Sequence, residues 1–171
     1  LKRDQDALDC LDKALAIKPD DPLAVGNRGS ALLTLNRPED ALESFEALLR
    51  LDPRNGEAMM NRGIAKAALL RHDEALADFD KAIALDPNYA QAYGNRGLIH
   101  RKTGKLDLAL TDYNKALTLD PNYAVAYLGR GIIYRLRKQP FAAFKDFNKA
   151  IEIRPDNAEA YYNRALLYQS Q

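Results

Sequence analysis

Proline recurs every 34 residues along this chain, at Pro19, Pro53, Pro87, Pro121 and Pro155. An aromatic or leucine side chain stands eight residues before each of these prolines, and an alanine stands twelve residues before each. A glycine stands 24 residues before each of the last four. Self-similarity at a fixed period of this length is typical of stacked repeats. The 171 residues are therefore best interpreted as copies of one unit rather than as an irregular globular domain.

Each period holds two stretches in which apolar residues follow helical spacing. The Asp-Pro and Arg-Pro steps mark one helix end per unit, because proline disfavours helical backbone in the residue before it. Pro22, Pro38 and Pro140 suit the first turn of a helix, where no N–H is needed. The sequence predicts ten helices and no strand, at residues 4–17, 22–35, 38–51, 56–69, 72–85, 90–103, 106–119, 124–137, 140–153 and 158–170.

Four glycines occupy one slot inside the predicted helices. Glycine in a helix interior costs about 0.5 to 1 kcal/mol relative to alanine, so its recurrence requires a structural reason. We expect close helix approach, with an aromatic side chain of the following helix filling the gap beside each glycine. The predicted glycine and aromatic partners are Gly29 with Phe45, Gly63 with Phe79, Gly97 with Tyr113, and Gly131 with Phe147.

With these markers in place, the chain resembles the tetratricopeptide repeat, whose unit is 34 residues in two antiparallel helices. The resemblance covers the chain end to end, although Ala165 replaces the glycine in the last unit. It implies an all-α fold, a right-handed alpha-alpha superhelix or solenoid. In the register of this family the chain is a single array over 1–171, with half repeats at 1–21 and 158–171 and full repeats at 22–55, 56–89, 90–123 and 124–157.

Composition and motifs argue against several classes of function. Twenty-five Lys and Arg against 24 Asp and Glu give a formal charge of +1, so we expect no nucleic-acid partner. One cysteine and two histidines exclude an internal disulfide and a multi-cysteine metal site. No hydrolase, zinc or phosphate-loop motif occurs, so we expect no catalysis, cofactor or metal. No apolar stretch approaches the ~20 residues that span a membrane. We expect a soluble chain without membrane insertion, cytoplasmic by default.

Arginine repeats at one slot of the first helix of each unit, and aspartate repeats at a matching slot of the second helix. Other members of the family usually have leucine at the arginine slot, which places the arginine at a helix contact where it requires a partner. Opposite charges at matching slots predict one ion pair inside each of three repeats. The predicted pairs are Arg62 with Asp78, Arg96 with Asp112, and Arg130 with Asp146.

Asparagine precedes this arginine in every unit except one, where Gly129 interrupts the series. In relatives within the family, notably the repeat domain of the sugar transferase that modifies Ser and Thr with N-acetylglucosamine, such a ladder lines the concave groove and binds peptide backbone. An amide suits this task because it donates to C=O and accepts from N–H. The alternative is that asparagine only tolerates a solvated inner face.

Other slots that the resemblance assigns to the groove are apolar or basic. The apolar ones, with Leu166, predict an exposed stripe of the kind that marks contact surfaces. The basic ones belong to a cluster with Lys102, Arg137 and Lys138 that is suited to an acidic peptide or phosphate, or that is only a solvated group at helix ends. The predicted groove residues are Asn27, Met60, Asn61, Ile64, Asn95, Leu98, Arg101, Leu128, Ile132, Arg135, Tyr162 and Asn163.

These observations predict a non-catalytic protein–protein interaction scaffold that binds a partner protein or extended peptide in its concave groove. The carboxylate clamp of the family's co-chaperones is absent, because Met60, Ile64, Gly94 and Leu98 occupy its slots. One alternative is a self-assembling module that stacks end to end through its half repeats. Another is an accessory domain cut from a larger enzyme or transporter. All nine tyrosines lie at or after Tyr89, which indicates two diverged repeat lineages or a fusion.

Overall fold

The computed structural model describes residues 2–169, and this part of the chain consists of ten helices without a strand. Each helix begins and ends within two residues of its predicted bounds. The predicted all-helical fold is confirmed. The helices are α1 (Lys2–Ile17), α2 (Pro22–Thr34), α3 (Pro38–Leu51), α4 (Gly56–Ala68), α5 (His72–Leu85), α6 (Ala90–Lys102), α7 (Leu106–Leu119), α8 (Ala124–Leu136), α9 (Pro140–Ile153) and α10 (Ala158–Gln169).

Local chemistry explains where these helices begin. Proline occupies the first turn of α2, α3 and α9, as predicted. The Asp21 carboxylate accepts hydrogen bonds from the N–H groups of Leu23 and Ala24, and Asn55 accepts one from Ala58. These side chains satisfy N–H groups that have no partner inside the helix.

The first helix of each helix pair ends with the same backbone conformation. A residue with positive φ follows α2, α4, α6 and α8 at the same slot of each repeat, and the four residues are Asn36, Leu70, Gly104 and Lys138. The next N–H then turns back onto the helix, as in the 2.9 Å bond from Arg37 N–H to the Leu32 carbonyl. This is the left-handed helix ending that glycine and asparagine adopt most readily.

The chain forms two compact units, unit 1 (Leu1–Pro87) and unit 2 (Asn88–Gln171). Within each unit, consecutive helices pack against one another. First helices of neighbouring repeats also touch, since α2 contacts α4 in unit 1, and α8 contacts both α6 and α10 in unit 2. In each unit, we call the side formed by these helices its first-helix face. The division of the chain into one array of half and full repeats stays a prediction.

Glycine and aromatic side chains pack together inside the helix pairs, as predicted. A Cβ added to Gly63 would lie 2.6 Å from Phe79 Cε1, and one added to Gly29 would lie 2.7 Å from Phe45 Cζ. The same contact joins Gly131 to Phe147 in unit 2. No side chain fits at these slots without moving the ring, so glycine is needed for close helix approach.

Candidate functional site

The predicted arginine–aspartate pairs are present and are mostly shielded from water. Arg62 donates from Nε and Nη2 to Asp78 at 2.8 and 2.6 Å, and Asp78 is 1% exposed. The same two-point geometry joins the other two predicted pairs, Arg96–Asp112 and Arg130–Asp146. Two parallel hydrogen bonds fix a guanidinium in one orientation. The pairs therefore hold each first helix to its second helix.

The arginines also reach the helix that precedes them, which the sequence analysis did not predict. Arg130 Nη1 donates to Asn114 Oδ1 at 2.7 Å, while its other nitrogens hold Asp146. Arg28 likewise bridges Asp12 on α1 and Ser44 on α3. The sequence carries a signal for this second contact, because a polar residue stands sixteen positions before each arginine.

A buried lysine distinguishes one pair in unit 1 from the others. Lys66 Nζ lies 2.7 Å from Asp78 Oδ2, so Asp78 is bound by two cations. Burial alone would raise the pKa of Asp78, but the hydrogen bonds from Arg62 and Lys66 more than offset that effect and lower it. Sequence reasoning missed this pair because Lys66 belongs to a slot that holds Leu32 one repeat earlier.

The four asparagines of the predicted ladder do not behave alike. Asn27 is exposed and Asn61 is half-buried, and neither side chain hydrogen-bonds to another residue within 2–169. In unit 2, Asn95 Nδ2 donates to the Gln91 carbonyl at 2.9 Å. Asn163 is 5% exposed, and its Nδ2 donates to the Glu159 carbonyl at 2.8 Å. Only the unit 1 asparagines keep whole amide groups available to a ligand.

The first-helix face of unit 1 contains a small cleft between α2 and α4. Its volume is about 150 Å³, and both Asn27 and Asn61 border it. Phe45 and Leu48 contribute apolar surface, and Leu23 at the rim is 79% exposed. The cleft thus combines free amides with apolar walls.

Unit 2 has a larger cleft on its own first-helix face, with a volume of about 360 Å³. Leu98, Val125 and Leu128 form apolar walls, and Tyr113 and Gly129 border it between α6 and α8. Its polar side chains are Arg101, Arg154, Asp156, Asn157 and Glu159. The predicted groove residues Leu98, Arg101 and Leu128 therefore meet at one site.

The predicted exposed apolar stripe is partly wrong. Met60 is 9% exposed and Ile132 is 6% exposed, so neither is available as a contact surface. Ile132 packs with Phe147 and Leu167, because an apolar side chain on a helix face that borders other helices is covered by them. The remaining members differ in exposure: Ile64, Leu98, Leu128 and Leu166 are half-buried and Tyr162 is 65% exposed.

The predicted basic cluster divides into two kinds of side chain. Lys102, Arg137 and Lys138 are exposed, and Arg137 pairs with Asp107 at 2.6 Å. Arg101 and Arg135 are half-buried, and the Nε atom of each is buried with no hydrogen-bond acceptor among the residues that the structure describes. The first group is a solvated helix-end cluster, whereas the second lies on the first-helix face.

Two findings concern metal ligands and membrane-spanning helices in the described part of the chain. Between residues 2 and 169, no three His, Cys, Asp or Glu side chains come together in a way that could hold a metal ion. Over the same range, no helix has the length and apolar character needed to cross a membrane.

Comparison with known proteins yields matches of family and of fold. Family profiles described as tetratricopeptide repeat match residues 27–90 and 90–123, and a profile described as TPR repeat matches residues 141–171. No curated protein sequence matches the chain significantly.

Three solved structures illustrate the fold match. A thermophilic tetratricopeptide repeat protein of Thermus thermophilus is 25% identical, with a TM-score of 0.83 over 99% of this chain and 92% of its own. MamA is 28% identical, with a TM-score of 0.72 over 89% of each chain. YrrB is 26% identical, with a TM-score of 0.69 over 96% of this chain and 84% of its own.

These matches support a protein-interaction scaffold, since the tetratricopeptide fold is typically a non-catalytic one. The matched segments fall in both units and cover 27–123 and 141–171. The chain therefore belongs to the tetratricopeptide repeat family.

Proposed function

We propose that the chain binds an extended segment of a partner protein on its first-helix face. The observation that carries this proposal is the pair of free amides, Asn27 and Asn61, at one cleft of unit 1. An extended backbone presents N–H and C=O groups along its length, and an amide side chain pairs with both. The structure of YrrB is described as that of a repeat protein with an unusual peptide-binding site, which supports peptide binding by this fold.

Apolar contact would supply much of the affinity. Leu23 is 79% exposed and Val125 is 39% exposed, and each stands at the rim of a cleft. Burial of apolar surface is worth about 25 cal/mol per Å², so a few side chains inserted into the clefts would hold a segment. Of the predicted groove residues, Ile64, Leu98, Leu128 and Tyr162 remain as contacts in this proposal, while Met60 and Ile132 support the helices.

The proposal is tested with peptides selected from a random twelve-residue phage library on the immobilised chain, with affinities measured by fluorescence polarisation. A net hydrogen bond contributes about 0.5 to 1.5 kcal/mol. Replacing both amides, by Asn27→Ala with Asn61→Ala, should weaken a selected peptide about tenfold or more. Asn122→Ala is the matched control, because it removes an exposed amide from a loop. Affinity that is indifferent to the double substitution would contradict binding at this cleft.

Self-assembly is the second candidate, and α10 supplies a specific observation for it. Arg164 binds Asn148 at 2.7 Å, but no aspartate among the described residues pairs with it as Asp146 pairs with Arg130. Tyr161 and Tyr168 of the same helix are 43% and 63% exposed.

At the other end, α1 carries Asp4, Asp6, Asp9 and Asp12, and exposes Ala7 and Ala14. A second copy stacked head to tail would bring this acidic helix against α10. The contact would place Cys10 beside Arg164, and it would be heterologous and open-ended.

Engineered cross-linking tests the stacking arrangement. Arg164→Cys should form disulfide-linked ladders through Cys10, and adding Cys10→Ser should reduce them to monomers. Dimers that persist unchanged without Cys10 would indicate the rival contact through two C-terminal helices. A strictly monomeric species at millimolar concentration would exclude both. The accessory-domain alternative stays a prediction, with no structural observation that favours it.

A further inference from the structure

The cleft of unit 2 corresponds, slot by slot, to the cleft of unit 1 three repeats earlier. Val125 and Leu128 stand at the slots of Leu23 and Gly26, and Asn157 and Glu159 stand at those of Asn55 and Glu57. The unit 2 cleft is nevertheless larger, at about 360 Å³ against about 150 Å³. It also borders Leu98 and Arg101 on α6 and Tyr113 on α7.

One wall of this cleft carries an exchange of asparagine for glycine, at Gly129. A Cβ added to Gly129 would lie 2.3 Å from Tyr113 Cζ and 2.6 Å from the Tyr113 hydroxyl oxygen. The tyrosine ring therefore occupies the place where the other repeats keep asparagine. Three of those asparagines are combined with phenylalanine at the tyrosine slot: Asn61 with Phe45, Asn95 with Phe79 and Asn163 with Phe147. Gly129 on α8 and Tyr113 on α7 are thus paired changes on neighbouring helices.

Arg101 contributes a cation to this cleft from α6. Unlike Arg62 and Arg130, it forms no ion pair with any residue that the structure describes, and its buried Nε has no acceptor there. Burial raises the pKa of the Tyr113 hydroxyl, and the neighbouring positive charge of Arg101 partly offsets that rise. The tyrosine and the guanidinium therefore border the same cleft without an ion pair between them. The positions equivalent to Arg101 in unit 1 hold Leu33 and Ala67, so a positive charge at this position is particular to unit 2.

Acidic groups near this cleft do not satisfy Arg101. Asp156 is paired at 3.8 Å with Arg154, and this pair is largely exposed. Glu159 is exposed at the mouth of the cleft on α10. Unit 2 as a whole carries 13 Lys and Arg against seven Asp and Glu. The cleft therefore has apolar walls and a basic side chain, and it lies in a unit whose net charge is positive.

We propose that this cleft receives a glutamate side chain of the bound segment, with its carboxylate on the Arg101 guanidinium. Leu98, Val125 and Leu128 would cover the methylene stem, and the Tyr113 ring, packed against Gly129, would form one edge of the site. An arginine–carboxylate hydrogen bond is charge-assisted and stronger than a neutral one. This inference rests on the proposed function for its biological meaning, since it names one residue type that the partner segment would carry.

The first experiment measures the site without a peptide. Capped glutamate (N-acetyl-glutamate N-methylamide) is titrated into the full chain, and capped glutamine is the neutral control. In NMR spectra, the Arg101 Nε–H and the Gly129 amide should shift with capped glutamate and remain in place with capped glutamine. Arg101→Gln should abolish the shifts, whereas Lys102→Gln, which removes one exposed charge from the next residue, should keep them. Equal shifts with both capped amino acids would overturn the proposal.

A second variant distinguishes the shaped cleft from general positive charge. Tyr113→Phe with Gly129→Asn reproduces the pairing found at Phe147 and Asn163, so it should fold, and it leaves every charge in place. We expect it to lose the glutamate response at least tenfold. Retention of the full response would show that charge alone attracts the ligand and would overturn the assigned cleft. Tyr113→Phe alone should weaken the response less, because it removes one hydroxyl group from the edge of the cleft and adds no side chain at Gly129.

The third experiment separates this inference from the proposed function. Phage selection on the wild-type chain should enrich glutamate at one position of the binding peptides, and selection on the Arg101→Gln variant should lose that enrichment. Peptides that bind the first-helix face without acidic enrichment would leave the proposed function in place and contradict the inference. A failure to select any peptide, with a positive capped-glutamate titration, would contradict the proposed function and support the site.

Discussion

Unit 1 and unit 2 share one helical pattern but differ in the polar chemistry placed on it. Unit 1 carries 12 Lys and Arg against 17 Asp and Glu, whereas unit 2 carries 13 against seven. Every tyrosine belongs to unit 2. Both units keep the contacts of glycine with aromatic rings, as at Gly63 and Gly131, and the buried arginine–aspartate pair, as at Arg62 and Arg130. The comparison indicates that the fold depends on close packing and on this pair, whereas the other charged and hydroxyl groups vary around them.

The environment of the buried arginine illustrates the difference. In unit 1, Arg62 shares Asp78 with a second cation, Lys66. In unit 2, Arg130 has Asn114 as an additional acceptor, and its guanidinium lies 5.5 Å from the ring centre of Tyr127. Ring faces stabilise a cation without contributing a titratable charge near neutral pH. The partners of Arg62 are therefore purely ionic, whereas those of Arg130 are partly aromatic.

The largest expected effect comes from removing the shared carboxylate of unit 1. Asp78→Ala leaves two cations, Arg62 and Lys66, without their buried partner, and breaking such a pair typically costs about 3 to 5 kcal/mol. Asp146→Ala in unit 2 should cost less, because Arg130 keeps Asn114 and its aromatic contacts. Urea unfolding followed by circular dichroism measures both losses.

A compensated variant checks the cause of that loss. Lys66→Leu with Asp78→Ser reproduces the first repeat, where Leu32 and Ser44 accompany Arg28. It should recover most of the stability that Asp78→Ala loses. Equal losses for Asp78→Ala and Asp146→Ala would show that the two units do not differ in the way described above.

Close packing predicts the next effect. A methyl group at Gly63 would lie 2.6 Å from Phe79, so Gly63→Ala should destabilise unit 1 by about 1 to 3 kcal/mol. At Gly97 in unit 2 the nearest atoms are 3.1 Å away, and the helix-propensity gain of about 0.5 to 1 kcal/mol offsets the milder crowding. Thermal unfolding of the two variants should show a lower Tm for Gly63→Ala only. A similar Tm for both would contradict this distinction.

The two units should respond to opposite ends of the pH scale. The pKa of Asp78 is lowered by its cations, so its contribution to stability is present above its ordinary value of 3.8 and disappears as the pH falls through the folded value. In unit 2, burial and neighbouring Tyr113 raise the pKa of Tyr123 from 10.0 to about 12, so its contribution is full below pH 10 and is lost between 10 and about 12.

Hydrogen exchange monitored by mass spectrometry resolves the units and measures both responses. Opening of unit 1 should increase in acid, and Lys66→Leu with Asp78→Ser should reduce that increase. Opening of unit 2 should increase in alkali, and Tyr123→Phe should reduce that increase. Parallel pH responses of the two units, unaltered by these substitutions, would contradict the assignment to Asp78 and Tyr123.

The smallest effect concerns the left-handed helix endings. Leu70 has a φ of 60°, which is sterically unfavourable for a residue with a side chain. Because Leu70 is 75% exposed, packing of its side chain offsets little of this cost. Leu70→Gly should stabilise unit 1 by about 1 kcal/mol, since glycine adopts this conformation without strain. Lys138→Gly should act in the same direction in unit 2, while Gly104→Ala should destabilise. The sign of each change in urea midpoint is the decisive result.

Features that repeat with the 34-residue period could be predicted from the sequence. Helix bounds follow from proline and apolar spacing, and the pairing of Arg62 with Asp78 follows from opposite charges at matching slots. Such features depend on one repeat unit, so each copy supplies independent evidence for the same geometry. This explains why the fold and the ion pairs agreed with expectation.

Features that occur in one copy could not be predicted in the same way. Periodicity assigned Asn163 and Asn27 to one slot, yet one is 5% exposed and the other is exposed. Their difference depends on rotamers and on neighbouring helices, which a slot does not specify. The close contact at Gly129 likewise depends on the Tyr113 ring, which belongs to another helix. The sequence shows that the asparagine is missing at this position, but the ring that replaces it is specified by the packing of two helices.

The arginines that touch two second helices have a consequence for how the array unfolds. Arg28 joins Asp12 to Ser44, and Arg130 joins Asn114 to Asp146, so each links the helix pair before it to its own. In a nearest-neighbour description of repeat proteins, such a residue contributes to the coupling between adjacent repeats rather than to the intrinsic stability of either repeat. Strong coupling makes partly unfolded states rare. Arg28 in unit 1 and Arg130 in unit 2 thus favour cooperative melting of the helices that they join over fraying.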